Sequence, residues 1–348
     1  MNSPSSKKAA LLMAVIVVAV VGSWEIFLRH KGVDASYDDA PALFAHARTR
    51  IYQPCDKATV FIGSSRMKYD LDITDWEKET RTEAVQLSCI GSTPIPVLVD
   101  LANDPQFKGR LVVDVTEILF FSSNPFFAER PAKGLKYFKD FTPAQKASLG
   151  LDRVVESQLV FLDKDNYSLN SELEKLEIPN RPGFFAMPLF PMEFERTAFN
   201  RQSYMQEKMV ADTNLQNRVK GIWDFLGNAM RGAPPISEKD LEDIFNTVKT
   251  SVDKIKARGG EVIFTRTPSS GRFLMGENMG FPRAKFWDKL LTVTGCSGIY
   301  FADYPVLRQL VCPENSHLSP AGSVVYTQSL IGILQKEKGC KFNNTTTN

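Results

Sequence analysis

Histidine is scarce in this 348-residue chain, where only His30, His46 and His317 occur. Five cysteines, Cys55, Cys89, Cys296, Cys312 and Cys340, form no Cys-x-x-Cys pair and no finger-like spacing with those histidines. That pattern argues against a structural zinc site. The odd number leaves at least one cysteine unpaired; Cys296 and Cys312 flank one predicted strand and could pair, although spacing alone does not show it. An excess of one charge is missing too. The 42 basic and 40 acidic residues nearly cancel, so no chain-wide field invites nucleic acid or an acidic polymer. At 43% apolar and 24% charged the composition is not that of a disordered chain. The length suits one large domain with insertions or two modest ones. No motif calls for a metal or a cofactor.

What is present begins at the N-terminus. Lys7 and Lys8 precede an uninterrupted apolar run from Ala9 to Val21, followed by Gly22-Ser23, Trp24, Ile26-Phe27-Leu28 and then Arg29-His30-Lys31. The run by itself suits the core of a cleaved signal peptide. No A-x-A site follows it, however. Counted through Leu28 the segment is 20 residues with Glu25 as its one charge, about the length that crosses ~30 Å of hydrocarbon. The expectation is a retained anchor over residues 1–31, in an inner or plasma membrane. Basic residues on both flanks leave the orientation rule undecided. The short charged N-tail favours a body on the extracytoplasmic, periplasmic side. Glu25 is expected at the interface or against a membrane partner.

Residues 32–56 read as a polar stalk with a short helix around Pro41 to Arg50. Five runs of strand length and composition follow: Thr59 to Ile62, Ala84 to Leu87, Leu111 to Val115, Glu261 to Thr265 and Gly298 to Phe301. The clearest helix runs from Ser237 to Arg258, with a Ser237/Asp240 capping pattern, apolar residues at helical spacing and Gly259 as its stop. A last helix opens at Ser319 with Pro320 in its first position. Strands alternating with helices predict an α/β fold, a three-layer α/β/α sandwich around a mostly parallel five-stranded sheet. The domain is expected over 57–338, interrupted at about 122–235 by a helical insertion, with a disordered tail at 339–348. The insertion reads as surface packing or as a lid over a site. Its apolar tip, Phe184, Phe185, Met187, Leu189 and Phe190, could touch membrane or a partner.

The first strand ends in Gly63-Ser64-Ser65-Arg66. Such a turn places a hydroxyl at the carboxyl edge of a parallel sheet, where open α/β folds bind ligands. The plainer reading is a helix cap by Ser64 or Ser65. At the far end stands Glu314-Asn315-Ser316-His317 in the loop before the closing helix. A carboxylate at this spacing can hold the imidazole Nδ1 proton while Nε2 faces a nucleophile. Ser65, Gly91, Glu117, Arg266 and the Glu314/His317 pair each follow a different predicted strand, so a parallel sheet gathers them on one edge. Arg66, Arg266 and Glu117 are candidate substrate contacts, with ordinary ion pairing or a structural role as the plain alternative.

Together these segments resemble the SGNH (GDSL-like) hydrolase superfamily, in which a Gly-Asp-Ser block supplies the nucleophile and an Asp-x-x-His block the base and its orienting acid. The resemblance implies Ser65 as nucleophile, His317 as base, Glu314 as acid, and the Ser65 and Gly91 amides as oxyanion donors. Two departures stand out: Ser64 replaces the Asp, and Asp114-Val115-Thr116-Glu117 follows the third strand where a Gly-x-Asn-Asp block belongs. Asn103-Asp104 precedes that strand and is a false match. Losing one oxyanion donor typically costs about 10² to 10³ in rate. Gly-Ser-Ser behind an N-terminal anchor is similar to the DltD-like and alginate-acetylation-like branch, whose members work with a membrane-bound O-acyltransferase. The function expected from this resemblance is an extracytoplasmic O-acyltransferase that passes an acetyl or aminoacyl group to an envelope or secreted polymer. The alternatives are an esterase or deacetylase of the same fold, or a catalytically reduced scaffold that binds a glycan or a partner.

Overall fold

The computed structural model describes residues 4–176, 188–229, 232 and 235–342. The chain forms two compact units, one of Met1–Asp38 with Ala147–Leu189, the other of Asp39–Lys146 with Phe190–Asn348. The insertion expected at 122–235 is therefore not one subdomain: its middle belongs to the first unit and its flanks to the second.

In the first unit a helix spans Pro4–His30, and within its 25-residue Ser6–His30 stretch an 18-residue window reaches a mean hydropathy of 2.5. At 1.5 Å per residue that stretch is about 38 Å long, long and apolar enough to cross a membrane. Glu25 is not left bare within it. Its carboxylate accepts from Arg29 Nε at 2.7 Å and from the amides of Val160 at 3.1 Å and Phe161 at 3.3 Å. The tip residues Phe184, Phe185 and Met187 lie outside the described residues.

Among the described residues the second unit holds seven strands: β1 (Ala58–Ile62), β2 (Glu83–Gln86), β3 (Arg110–Asp114), β4 (Arg196–Thr197), β5 (Ser203–Tyr204), β6 (Glu261–Arg266) and β7 (Ser297–Tyr300). β4 and β5 pair as a small antiparallel hairpin, and the other five form one all-parallel sheet in the order β2-β1-β3-β6-β7. Helices cover both faces. Glu238–Ala257 packs on Ile95–Asn103 and on β6, while Pro320–Lys336 packs on Ser65–Asp70 and Ile73–Thr80. Covered on both sides, β1 and β3 are buried along their whole length, and each buried Val, Leu, Ile or Phe side chain contributes about 1.5–3 kcal/mol. The chain passes from β1 to β2 on one side and then back across to β3 on the other, so the carboxyl end of β1 is the switch point at which open α/β sheets commonly bind ligands.

Three expectations need correction. The stalk is not free, since Leu43, Phe44 and Ala47 of the Pro41–Arg48 helix are buried and Asp39 is ion-paired to Arg201 and Lys68. Arg48 in turn bridges Asp100 and Asp104 at 2.8 Å, which gives Asp104 a structural partner. The tail begins later than residue 339: the Cys340 amide bonds Leu334 O at 2.9 Å, and the Phe342 ring meets Trp76 edge-on at 5.4 Å. Cys296 and Cys312 lie beyond opposite ends of β7, with their thiols on Thr294 O and Pro268 O, and the five cysteines are all free thiols.

Candidate active site

The site starts where β1 stops. Gly63 must be glycine, because a Cβ there would lie 2.6 Å from Asp114 Cβ at the end of β3. Ser64 takes the extended N-cap conformation, and its hydroxyl accepts from the Arg66 amide at 3.3 Å. The cap is therefore Ser64, and Ser65 follows as the first helical residue with its hydroxyl uncommitted to capping. From Ala58 through Leu71, Ser65 alone is not buried.

The loop before the closing helix supplies the partners. His317 Nε2 lies 2.8 Å from Ser65 Oγ, and His317 Nδ1 lies 2.9 Å from Glu314 Oε1. The three-residue spacing lets the loop fold back on itself. Glu314 Oε1 also accepts from the His317 amide at 2.5 Å and the Ser316 amide at 3.3 Å, with Asn315 at φ 81° making the turn. Glu314 and His317 are buried, so the pair operates out of water. The structure thus brings Ser65, His317 and Glu314 into one hydrogen-bonded line, a geometry in which an imidazole held by a carboxylate can take a proton from a hydroxyl.

Sequence reasoning missed a fourth member. The indole N–H of Trp223, from the Thr213–Ala229 helix, donates to Glu314 Oε2. Rings of Tyr69 at 4.4 Å, Phe194 at 5.7 Å and Trp223 at 6.1 Å surround the His317 ring. Phe190 and Phe273 extend the wall around Trp223. The carboxyl-side flank of the insertion is thus neither bare surface packing nor remote from the site.

Gly91, at φ 60°, closes the loop after β2. The parallel ladder continues past the strand ends, with the Leu87 amide on Phe61 O at 2.8 Å and the Cys89 amide on Gly63 O at 3.1 Å. This runs the Gly91 loop alongside the Ser65 turn. Arg201, also unforeseen, grips that loop through Gln86 O at 2.9 Å and Ser88 O at 3.1 Å. Burial alone would raise its partner Asp39, but Arg201 and Lys68 outweigh it and hold the carboxyl at about 2. Among the described residues no hydrogen bond is made by the amides of Ser65 and Gly91.

Arg66, Arg266 and Glu117 are not placed for substrate. All three are buried, in a chain of charges in which Glu277 bonds both Arg66 and Arg266, and Arg266 Nε bonds Glu117 at 3.0 Å. Burial raises the Glu117 carboxyl despite Arg266. At Glu277 burial acts the same way, but Arg66 and Arg266 prevail and hold it below the usual carboxylate range. Glu277 comes from the Gly271–Gly280 helix and ties Ser65's own helix to the end of β6. Asp114, at the end of β3, is also buried and accepts from Thr116 Oγ1 at 2.9 Å and Thr267 Oγ1 at 3.2 Å. It is a clasp between strand ends rather than an oxyanion donor. Asp70, one turn below Ser65, accepts from the Leu318 amide at 2.9 Å, and burial pushes its carboxyl well above the ordinary range. Among the described residues no group of three or more metal-ligating side chains is assembled.

No protein-family model matches the sequence, and a search of curated proteins returns no match.

Proposed function

We propose that this chain is a membrane-tethered serine acyltransferase of SGNH type, its body on the extracytoplasmic side. The observation that carries the reading is the line from Ser65 Oγ to His317 Nε2 at 2.8 Å and from His317 Nδ1 to Glu314 at 2.9 Å, set at the carboxyl end of β1. In this reading Ser65 Oγ attacks the carbonyl of an acyl donor while His317 Nε2 takes its proton. The oxyanion forms against the Ser65 and Gly91 amides. Collapse passes the proton from His317 to the leaving oxygen and leaves an acyl-Ser65 ester. A polymer hydroxyl then enters, gives its proton to His317, takes the acyl group and frees Ser65. Glu314 holds the imidazole throughout and steadies its charged form.

The tether and the Gly-Ser-Ser turn support a membrane-bound O-acyltransferase as donor partner and an envelope or secreted polymer as acceptor. Water as acceptor would make the same site an esterase. A Ser65→Ala strain tests the reading through the acyl content of its envelope polymers. Loss of that content, restored by the wild-type gene, supports transfer. A rise in acyl content indicates a deacetylase, and unchanged content counts against both.

A further inference from the structure

The N-terminal unit carries a surface that the catalytic reading does not use. Its Leu169–Glu174 helix and the turn after it leave Leu169, Leu173 and Leu176 exposed at 75%, 50% and 60%. Spacing of four puts Leu169 and Leu173 on one face of the helix, and Leu176 follows in the turn closed by its amide on Leu173 O at 3.2 Å. Glu172 and Lys175 pair with each other at 2.7 Å on the helix's polar side. A second stripe, Leu151, Val154 and Val155, stands exposed on the Pro143–Glu156 helix. Apolar side chains ordered in stripes, unlike single ones, call for a partner surface.

Two contacts tie the segment just before these leucines to the N-terminal helix. The ring of Trp24 meets Tyr167 edge-on at 6.4 Å, two residues before Leu169, and Glu25 caps the amides of Val160 and Phe161. Trp24 and Glu25 lie near the end of the apolar Ser6–His30 stretch, about 8 Å before its last residue, where tryptophan and tyrosine collect at a membrane–water boundary. A charge there, satisfied by backbone amides and by Arg29, suits that boundary as well.

We propose that the segment from Leu169 to Leu176 is a second membrane contact, an interfacial helix lying on the bilayer that the N-terminal helix crosses. Leu169, Leu173 and Leu176 enter the boundary between headgroups and acyl chains, while Glu172 and Lys175 face water. The occupant is a lipid surface because Tyr167, two residues before Leu169, meets Trp24 of a helix whose apolar side chains stand exposed from Leu11 to Val20. The inference rests on the reading of that helix as a retained span. It does not depend on the chemistry of Ser65.

The test uses the full chain in vesicles of phosphatidylcholine and phosphatidylglycerol. The photoreactive residue p-benzoylphenylalanine is placed in turn at Leu173, at Glu172 and at Val18 within the apolar helix, and adducts are read by mass spectrometry. Expected are lipid adducts at Val18 and at Leu173, the latter well in excess of Glu172. Lipid at Val18 with none at Leu173, or with equal yields at Leu173 and Glu172, overturns the proposal while the span survives. A protein adduct at Leu173 overturns it in favour of a second copy or another protein. Absence of lipid at Val18 removes the span and the interfacial helix together.

Discussion

The indole N–H of Trp223 donates to Glu314 Oε2, while the other oxygen of that carboxylate holds His317 Nδ1. The acid of the candidate triad is thus fixed from both sides, once by its own loop and once by the inserted Thr213–Ala229 helix. Trp223→Phe keeps an aromatic ring against Phe190 and Phe273 but removes the donor. Hydrogen bonds to charged groups contribute about 1.5–3 kcal/mol, so the rate at which Ser65 reacts with a fluorophosphonate should fall roughly tenfold to a hundredfold. An unchanged labelling rate would mean that Glu314 is held well enough without the indole.

Glu314→Gln should act more strongly. An amide presents its NH₂ to donors that now meet only carboxylate oxygens: the Ser316 and His317 amides, the indole and the imidazole Nδ1. The wrong imidazole tautomer is favoured, and the expected loss in labelling rate is on the order of 10³ to 10⁴. A fall in thermal stability should accompany it, since a buried unsatisfied group costs about 1–3 kcal/mol. Retention of near wild-type labelling would exclude Glu314 as the orienting acid.

The four-charge chain under the site should matter for folding. Glu277→Gln leaves Arg66 and Arg266 buried with one carboxylate, Glu117, between them, and breaking a buried pair costs about 3–5 kcal/mol. Lys249→Ala removes an exposed pair with Asp253 and should cost about 0–1 kcal/mol. Urea unfolding of the two variants checks the contrast. Equal midpoints would mean that the buried chain is not a stabilising connection.

Asp70 predicts a pH effect. Its carboxyl is buried, with Oδ1 on the Leu318 amide and, among the described residues, no hydrogen-bond partner for Oδ2, so its folded value is raised well above the ordinary one. A raised carboxyl binds its proton more tightly when folded. Its contribution to stability is therefore present below the unfolded value of about 4 and is lost as pH rises above it. The melting temperature of wild type relative to Asp70→Asn should fall between about pH 4 and 7. A difference that stays flat over that window would show that Asp70 is charged and satisfied in the native protein.

How much of this is visible in the sequence depends on what each feature needs. The five main strands are legible because strands buried on both faces are continuous β-branched and aromatic runs, as in Ala58–Ile62 and Arg110–Asp114. Ser65 and His317 are legible because a parallel sheet puts all strand ends on one edge and few histidines compete. Edge position does not tell which way a side chain turns. Arg66 and Arg266 turn inward because Glu277 waits there, and Glu277 sits on a short helix with no clear apolar stripe. Trp223 is hidden for another reason: its bond to Glu314 joins residues 91 apart, and no local pattern carries that distance. Asp39 likewise looks like a stalk residue until Arg201 folds over it.

The most direct test of the Ser65 site is to label the full-length protein with a fluorophosphonate and locate the adduct by peptide mass spectrometry, beside Ser65→Ala and His317→Ala. The expected result is one modified residue, Ser65, with no labelling of Ser65→Ala and labelling of His317→Ala slowed by several orders of magnitude. A folded wild-type protein that takes no label, or takes it equally in all three forms, would contradict a catalytic Ser65.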